Sequence, residues 1–304
     1  MKHKNLTSVE VAEIVAPLMN WRSEDISNVE MLKRGMTNRS YLFSHGDKRY
    51  IVRIPGEGTG KMIDRYKEYN VYKSIAPLNI CDDVVYIDPQ NGYKITVFWE
   101  DARVCDPNNP QDVAACMNRL KTFHNFNIEV PHVFDVFERI NFYEGLWSAP
   151  SLYADYANTK SCIMELQEYI SSLQLKLTLT HIDANPDNFL FITNAKGEQE
   201  IRLIDWEYTA MQDIHLDIAM FAVYSMYNHS QIENLIRAYF AEYIPSLSIK
   251  SKIYAYIAMC GLLWSNWCEY KSQLGVEFGE YSLKQYQFAK DYYQIFKETQ
   301  IAHG

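Results

Sequence analysis

The sequence predicts an α+β protein of two lobes, one antiparallel and β-rich over residues 1–98, the other mainly helical over 99–304. Runs of β-branched and aromatic residues separated by turn signals fill the first hundred positions. Beyond the polar, proline-containing connector "ARVCDPNNPQD", helical periodicity dominates. Hydrophobic residues make up 48% of the 304 positions, which is enough for a core in each lobe.

The N-terminal elements follow from local patterns. "LTSVEVAEIVAPLM" has helical spacing, with Thr7 or Ser8 as its N-cap. "RSYLFSHG" and "KRYIVRIP" are strand-like runs joined by "HGD", which predicts a hairpin. "KMIDRYKEYNVYKSIA" has the periodicity of a helix, and the turn "PQNG" separates the strand-like runs "DDVVYIDP" and "YKITVFW". Together they predict a small antiparallel sheet that carries one helix.

The C-terminal part repeats helical patterns. They recur at residues 153–173, 215–227, 231–243, 253–270 and 283–300. The extended pieces there are "KLTLTHID", "NFLFIT" and "EIRLIDWEY". A polar stretch, "HIDANPDN", lies between the first two of these strand-like pieces, which predicts a loop on a short hairpin.

Bulk properties exclude several classes of protein. A net charge of −9 argues against a nucleic-acid partner. The six cysteines have no spacing typical of zinc ligands. The start of the chain lacks a signal-peptide core, and the longest apolar run, residues 253–264, is too short to cross a bilayer. We therefore expect a cytoplasmic protein without membrane insertion. Oligomeric state is left open.

The polar loop carries the first catalytic signal. His181, Asp183 and Asn188 have the H-x-D-x-x-x-x-N spacing of protein kinases. There the Asp accepts the proton of the acceptor hydroxyl, and the Asn binds a magnesium ion on the ATP phosphates. Alone, the pattern also fits a polar turn that satisfies its own main-chain groups.

A second acidic site follows on the next strand. Asp205 ends the apolar run "IRLIDWEY", seventeen residues beyond Asn188. In the kinase arrangement an Asp at this strand end chelates magnesium. Asn188 and Asp205 are therefore the predicted metal ligands, and an exposed Asp that caps the next segment is the alternative.

The phosphate-binding residues are predicted in the N-terminal lobe. "YIVRIPG" places Arg53 on an apolar strand, and the next helix offers Glu68. In kinases such a strand cation touches the ATP phosphates and pairs with a helix glutamate. An exposed arginine on an alternating strand is the alternative. Upstream, "RGMTNRSY" has one glycine, but Thr37 and Asn38 could contact phosphate oxygens. ATP and Mg²⁺ are thus the expected cofactors.

At this point the chain resembles the choline/ethanolamine kinases, within the group that includes aminoglycoside phosphotransferases. "GMTN", "VRIPG", H-x-D with its Asn, and "IDWEY" followed by "DIA" occur in the order of that family over roughly residues 33–267. The resemblance implies a two-lobed protein kinase-like fold, and arginine at position 53 is usual in choline kinases. The segment Asp205-Trp206-Glu207-Tyr208 resembles their D-[WY]-E-Y, which favours choline over an aminoglycoside.

The resemblance also implies an aromatic cation pocket. "GLLWSNWCEY" puts Trp264 and Trp267 on one helix face, matching the family's W-x-x-W. A trimethylammonium group has no hydrogen-bond donors, so aromatic faces and a carboxylate suit it. Glu207 and Tyr208 are expected to complete the pocket. The alternative is a W-x-x-W helix that only fills a core. A further aromatic near the C-terminus is implied, with Tyr286, Tyr292 and Tyr293 left open.

Other motif residues are expected to support the site. Asp217 in "IHLDIAM" matches a family aspartate that braces the catalytic loop, and His124 matches a scaffold residue at a helix end. His181 is expected to brace the loop, while Asn185 and Asp187 form its turn.

The sequence thus predicts an ATP-dependent phosphotransferase with an alcohol acceptor, a choline kinase that produces phosphocholine and ADP. Ethanolamine, an aminoglycoside or another amino alcohol are the alternative substrates. The alternative of another class is a non-catalytic binding module on a kinase-like fold, against which the joint presence of Asp183, Asn188 and Asp205 argues.

Overall fold

A computed structural model describes residues 5–34, 38–56, 63–194, 196–241 and 243–301. Thr37, one of the predicted phosphate contacts, lies outside these ranges. The chain forms two compact units. The first unit comprises Met1–Arg103 with Leu190–Tyr208, and the second comprises Val104–Phe189 with Thr209–Gly304. The assignment of a nucleotide-binding lobe to 1–98 and of a substrate lobe to 99–304 stays a prediction.

The helices and strands of the described residues, in chain order, are α1 (Ser8–Met19), β1 (Ile26–Arg34), β2 (Asn38–His45), β3 (Lys48–Pro55), α2 (Arg65–Ile75), β4 (Val84–Ile87), β5 (Lys94–Val97), β6 (Arg103–Val104), α3 (Pro110–His124), α4 (Val136–Glu144), α5 (Tyr156–Ser172), β7 (Thr178–Thr180), β8 (Phe189–Thr193), β9 (Gln199–Leu203), β10 (Ala210–Gln212), α6 (His215–Tyr224), α7 (His229–Phe240), α8 (Leu247–Gln273) and α9 (Glu280–Ile301).

The first unit contains the predicted antiparallel sheet, with strand order β1-β2-β3-β5-β4. The predicted hairpin is confirmed as β2–β3, in which His45 faces Lys48 across a two-residue turn. Gly46 opens that turn at a φ of +58°, a conformation that glycine adopts without steric cost. Helix α1 begins with a capping box in which the Thr7 hydroxyl and the Glu10 carboxylate each accept from the other's main-chain N–H.

The core of the first unit lies between α1 and one face of the sheet. Alternate strand positions such as Tyr41, Phe43 and Val52 are buried there, together with Val11 and Val15 of α1. The period of two along β2 and β3 gives each strand a second face, and Arg53 on β3 lies on a different face from Val52. The sheet therefore sets where the Arg53 side chain projects.

The second unit is mainly helical, as predicted. Helix α8 runs for 27 residues and is buried along most of its length. It packs against α9 at Gly261, where a Cβ atom would lie 2.7 Å from the Ala289 nitrogen and the Gln285 carbonyl oxygen. Only glycine permits this close approach. Among the residues that the structure describes, every helix is too short or too polar to span a bilayer.

Two short strands of the second unit position the polar loop. β7 pairs with β10 in antiparallel fashion, with Thr180 facing Ala210. The loop "HIDANPDN" leaves the end of β7, and its last three residues form a short 3₁₀ helix over Pro186–Asn188. The loop follows a strand, as predicted, but the predicted short hairpin is wrong, because β7 pairs with β10 and not with β8, the strand that follows the loop.

Candidate active site

Arg53 and Glu68 form a buried ion pair in the first unit. Arg53 Nη2 donates to Glu68 Oε2 at 2.9 Å, and Arg53 Nη1 donates to Glu68 Oε1. The two residues are 6% and 2% exposed, so the alternative of an exposed arginine is excluded. Burial opposes ionisation of Glu68, but the charge and hydrogen bonds of Arg53 outweigh it and lower the pKa of Glu68 to about 2. The same pairing outweighs burial at Arg53 and raises its pKa.

One N–H group of the Arg53 guanidinium takes no part in the pair with Glu68. Its Nε is buried and has no hydrogen-bond partner among the described residues. A buried guanidinium N–H without an acceptor is costly, and a phosphate oxygen is an acceptor that suits it. The unpaired Nε–H of Arg53 is compatible with the phosphate-binding role predicted for this residue. The role itself stays a prediction.

A second buried ion pair supports helix α2. Lys94 Nζ lies 2.7 Å from Asp82 Oδ2, and the Tyr72 hydroxyl donates to Asp82 Oδ1 at 2.9 Å. Tyr72 follows Glu68 by one helical turn, so both side chains project from the same face of α2. The Lys94 charge also contributes to the low pKa of Glu68. This pair fixes the helix that carries Glu68.

Asp205 follows the end of β9, as the sequence predicted. Its main chain has a φ of +66°, a left-handed conformation that is uncommon for a residue other than glycine. Its Oδ1 atom is buried, has no hydrogen-bond donor among the described residues, and lies 3.9 Å from Arg53 Nη1. A carboxylate oxygen without a donor fits the needs of a divalent cation.

Glu207 lies among cations in this unit. Its Oε2 accepts from Asn38 Nδ2 at 3.0 Å and from Arg65 Nη1 at 3.1 Å, and Arg53 Nη1 lies 3.7 Å away. Burial, together with the Asp205 carboxylate, raises the pKa of Glu207 to about 7 despite these cations. The expectation that Glu207 lines a cation pocket stays a prediction, as does that for Tyr208, which is partly buried.

Arg65 is a residue that the motifs did not indicate. Its Nη1 donates to Glu68 Oε2 at 2.8 Å, and its Nη2 donates to Asn38 Oδ1 at 2.9 Å. With its bond to Glu207, the guanidinium joins β2, α2 and the segment after β9. A signal was present in the sequence, since Arg65 lies three residues before Glu68 on the predicted helix, where side chains meet.

The main chain of the polar loop in the second unit is held by Asp217. Its carboxylate accepts from the His181 N–H at 2.9 Å and from the Ile182 N–H at 2.8 Å. Ile182 has a φ of +68°, which is strained for a β-branched residue and is sustained by these bonds. His124 Nε2 lies 2.9 Å from the same carboxylate. The predicted bracing by Asp217 and the scaffold role of His124 are confirmed.

Asp183 and Asn188 lie side by side in this loop. Asn188 Nδ2 donates to the Asp183 main-chain oxygen at 2.9 Å and to Asp183 Oδ2 at 3.0 Å. Because the amide nitrogen is turned toward Asp183, the amide oxygen is turned away from it, and that oxygen is the atom of the amide that can bind a cation. The turn itself is closed by Asn185, whose Oδ1 accepts from the Asp187 N–H at 3.1 Å, as predicted.

Trp264 and Trp267 form a contiguous aromatic group on α8. Their rings meet edge to face with centroids 5.7 Å apart, and both residues are nearly buried. Phe278 extends the group beyond Trp267, at 5.4 Å. Trp267 Nε1 is buried without a hydrogen-bond partner among the described residues, which is unusual for an indole that only fills a core.

The three C-terminal tyrosines contact other parts of the second unit. Tyr286 stacks on Tyr153 at 3.9 Å, and Tyr292 packs on Tyr254 at 5.8 Å. The Tyr293 hydroxyl donates to Glu165. The aromatic group on α8 is instead continued from Phe278 to Tyr281, whose ring is 6.4 Å away. Tyr281 precedes the three sequence candidates on α9, and no sequence pattern singles it out.

The side-chain oxygen atoms of the two predicted metal ligands are of the kind that binds a magnesium ion on a phosphate. Across the ranges that the structure describes, no three or more His, Cys, Asp or Glu side chains cluster as a closed metal cage. Mg²⁺ usually takes one or two protein oxygens and completes its shell with phosphates and water. The bare Oδ1 of Asp205 and the amide oxygen of Asn188 are donors of that kind.

Three features define a protein kinase-like phosphotransferase that acts on an alcohol acceptor. They are the ion pair between a strand arginine and a helix glutamate, the aspartate after a strand end, and the H-x-D…N loop. A family model described as choline/ethanolamine kinase matches residues 29–257. The chain therefore belongs to the choline/ethanolamine kinase family. It acts as a kinase of amino alcohols, which fits the predicted class of enzyme.

Known proteins of this kind are similar over most of the chain. Protein LicA of Haemophilus influenzae is 25% identical over 261 residues, which cover 82% of this chain and 95% of the relative. The crystal structure of choline kinase LicA from Streptococcus pneumoniae superposes with a TM-score of 0.80 at 28% identity, covering 93% of this chain and 97% of that one. A LicA structure in complex with AMP also gives a TM-score of 0.80 at 28% identity, over 94% and 97% of the two chains.

Proposed function

We propose that this protein is an ATP-dependent choline kinase, which transfers the γ-phosphoryl group of ATP to the choline hydroxyl and releases phosphocholine and ADP. The family membership and the similarity to LicA support an amino alcohol as acceptor. AMP bound to a LicA protein supports an adenine nucleotide as the donor.

Asp183 is the proposed base. Its carboxylate accepts the proton of the choline hydroxyl as the oxygen attacks the γ-phosphorus, and the bond from that phosphorus to the β,γ-bridging oxygen of ATP breaks. Asn188 aids this step by holding Oδ2 of Asp183 at 3.0 Å, which limits the rotation of the carboxylate. Such positioning supplies much of the rate in phosphoryl transfer, since the protein forms no covalent bond.

Arg53, Asn38 and Thr37 are the proposed phosphate contacts, with Glu68 orienting Arg53. The bidentate pair leaves the Arg53 guanidinium fixed in one plane, so its remaining N–H needs no reorganisation to meet a phosphate oxygen. Asn188 and Asp205 would hold Mg²⁺, which neutralises phosphate charge when bound.

The single observation that supports choline over other amino alcohols is the aromatic group of Trp264 and Trp267. Edge-to-face indoles present a π-surface to a cation that cannot donate hydrogen bonds, and such contacts are worth about 0.5–2 kcal/mol each. A primary ammonium, as in ethanolamine, instead needs acceptors for three N–H groups. Glu207 and Tyr208 are proposed to complete the cation site.

A substrate panel tests the proposal. ADP release is measured in a coupled assay with choline, ethanolamine and kanamycin, each with and without Mg²⁺. We expect kcat/KM for choline to exceed that for ethanolamine by about tenfold or more, since one cation–π contact of 1–2 kcal/mol corresponds to that factor. Ethanolamine or kanamycin turned over as well as choline would contradict the choline assignment. No ADP release with any of the three acceptors would favour a non-catalytic module.

A further inference from the structure

Tyr224 reaches the proposed base from the end of α6. Its hydroxyl donates to Asp183 Oδ1, while Asn188 Nδ2 donates to Asp183 Oδ2 at 3.0 Å. The two oxygens of one carboxylate are thus held by two different side chains. A hydrogen bond to an ionised carboxylate is stronger than one between neutral groups, so this pair of donors fixes the carboxylate plane.

Helix α6 carries the two side chains that hold the polar loop. Asp217 holds the main chain of His181 and Ile182, and Tyr224 holds the side chain of Asp183. Tyr224 follows Asp217 by seven residues, which is close to two helical turns, so both side chains lie on the same face. The helix between them is buried from His215 to Val223. A rigid helix therefore sets the main chain and the carboxylate of the loop together.

The Tyr224 ring also contacts the aromatic group on α8. Its centroid lies 5.2 Å from that of Trp264, with the planes tilted by 47°, and Trp264 meets Trp267 at 5.7 Å. One side chain thus touches the proposed base with its hydroxyl and the proposed cation-binding aromatics with its ring. The distance between hydroxyl and ring is fixed by covalent geometry.

We propose that Tyr224 is a positioning residue that couples the orientation of the Asp183 carboxylate to the aromatic site for the acceptor. Its hydroxyl selects the rotation of the carboxylate, and its ring abuts the surface against which the cationic end of the acceptor rests. The inference rests on the proposed amino-alcohol kinase function. A misplaced base costs about a hundredfold in rate for an error near 1 Å, while ground-state binding of the acceptor depends on the aromatic rings.

Tyr224→Phe tests this inference, because it keeps the ring and removes the hydroxyl. We expect kcat to fall about tenfold or more while KM for choline stays within about threefold and KM for ATP is unchanged, since orientation is lost but the binding surfaces remain. The matched control is Tyr227→Phe, which removes a hydroxyl that donates to the Pro107 carbonyl in the same unit. The control should keep its kcat.

The outcomes separate this inference from the proposed function. All rates are measured on the acceptor that the wild-type protein phosphorylates best. If that acceptor is ethanolamine, the choline assignment is overturned, but the comparison of Tyr224→Phe with the wild type still tests the role of Tyr224. A Tyr224→Phe variant with wild-type kcat overturns the inference. So does an equal loss of kcat in Tyr227→Phe, or a loss confined to KM. A wild-type protein that phosphorylates no amino alcohol overturns both proposals.

Discussion

Arg65 shows how one side chain can join three segments of the first unit. Its guanidinium is nearly buried and donates to Asn38, Glu68 and Glu207 at 2.8–3.1 Å. Two of these acceptors are carboxylates whose nearby charges would repel each other without a cation between them. Since Glu68 also holds Arg53, loss of Arg65 would disturb the proposed phosphate contacts as well as the stability of the unit.

Arg65→Met should lower the free energy of unfolding by about 3–5 kcal/mol at pH 8, because it leaves the buried carboxylates of Glu68 and Glu207 with one cation fewer. The pKa of Glu207 is about 7, so below pH 6 this carboxyl is protonated and the loss should shrink. Urea denaturation of both proteins measures the difference.

Arg49→Met is the matched control for this experiment. Arg49 pairs with Glu100 at 3.0 Å in the same unit, but the two side chains are 33% and 58% exposed. An exposed pair contributes about 0–1 kcal/mol, so this variant should stay close to the wild type. If both variants lost the same free energy of unfolding, the buried contacts of Arg65 would stabilise the fold no more than an exposed ion pair does.

At the scale of elements, α6 and α8 of the second unit are joined by a buried ionic cluster. Asp213, just before α6, accepts from the His215 N–H at 2.8 Å, and its Oδ2 lies 2.5 Å from Lys252 Nζ on α8. Burial opposes ionisation of Asp213, but the hydrogen bond between its Oδ1 and the His215 imidazole Nδ1, together with the nearby charges, outweighs burial and lowers the pKa of Asp213 to about 2. The cluster thus anchors the start of the helix that carries Asp217 and Tyr224.

This depressed pKa predicts how stability depends on pH. A carboxyl whose pKa is about 2 when folded and 3.8 when unfolded stabilises the fold above pH 3.8, by about 2 kcal/mol at neutral pH. The contribution is lost as the pH falls toward 2, and about half of it should be gone by pH 3. The gap in unfolding free energy between wild type and Asp213→Asn should therefore narrow between pH 6 and pH 3. A gap that stays constant would show that the Asp213 charge does not stabilise the fold.

The elements also show what sequence patterns can and cannot predict. The β2–β3 hairpin and the long α8 follow from turn signals and periodicity, which are local properties. The contacts of Tyr224 with Asp183 and of Arg65 with Glu207 join residues 41 and 142 positions apart, and no local pattern specifies such pairs. The left-handed main chain at Ile182 was likewise unpredicted, since propensity disfavours it and Asp217 imposes it.

At the scale of the whole molecule, the two units carry complementary chemistry. The first unit holds the arginine pair and the strand-end aspartate, and the second holds the proposed base and the aromatic group. The motif order along the chain predicted these residues, because each motif is short and keeps its spacing. The inclusion of residues 190–208 in the first unit was not predicted, since they lie between helical segments in the sequence and only contacts reveal where they pack.

Asp183 is proposed to act as the base in the phosphorylation of choline, and the proposed mechanism depends on this role. The most direct measurement is the initial rate of phosphocholine formation, followed by phosphorus NMR with ATP, Mg²⁺ and choline, for the wild type and Asp183→Asn. This substitution keeps the shape of the side chain and removes its capacity to accept the hydroxyl proton. We predict phosphocholine from the wild type and a rate lower by about 10²–10⁴ in the variant. A variant that forms phosphocholine within about threefold of the wild-type rate would contradict the claim.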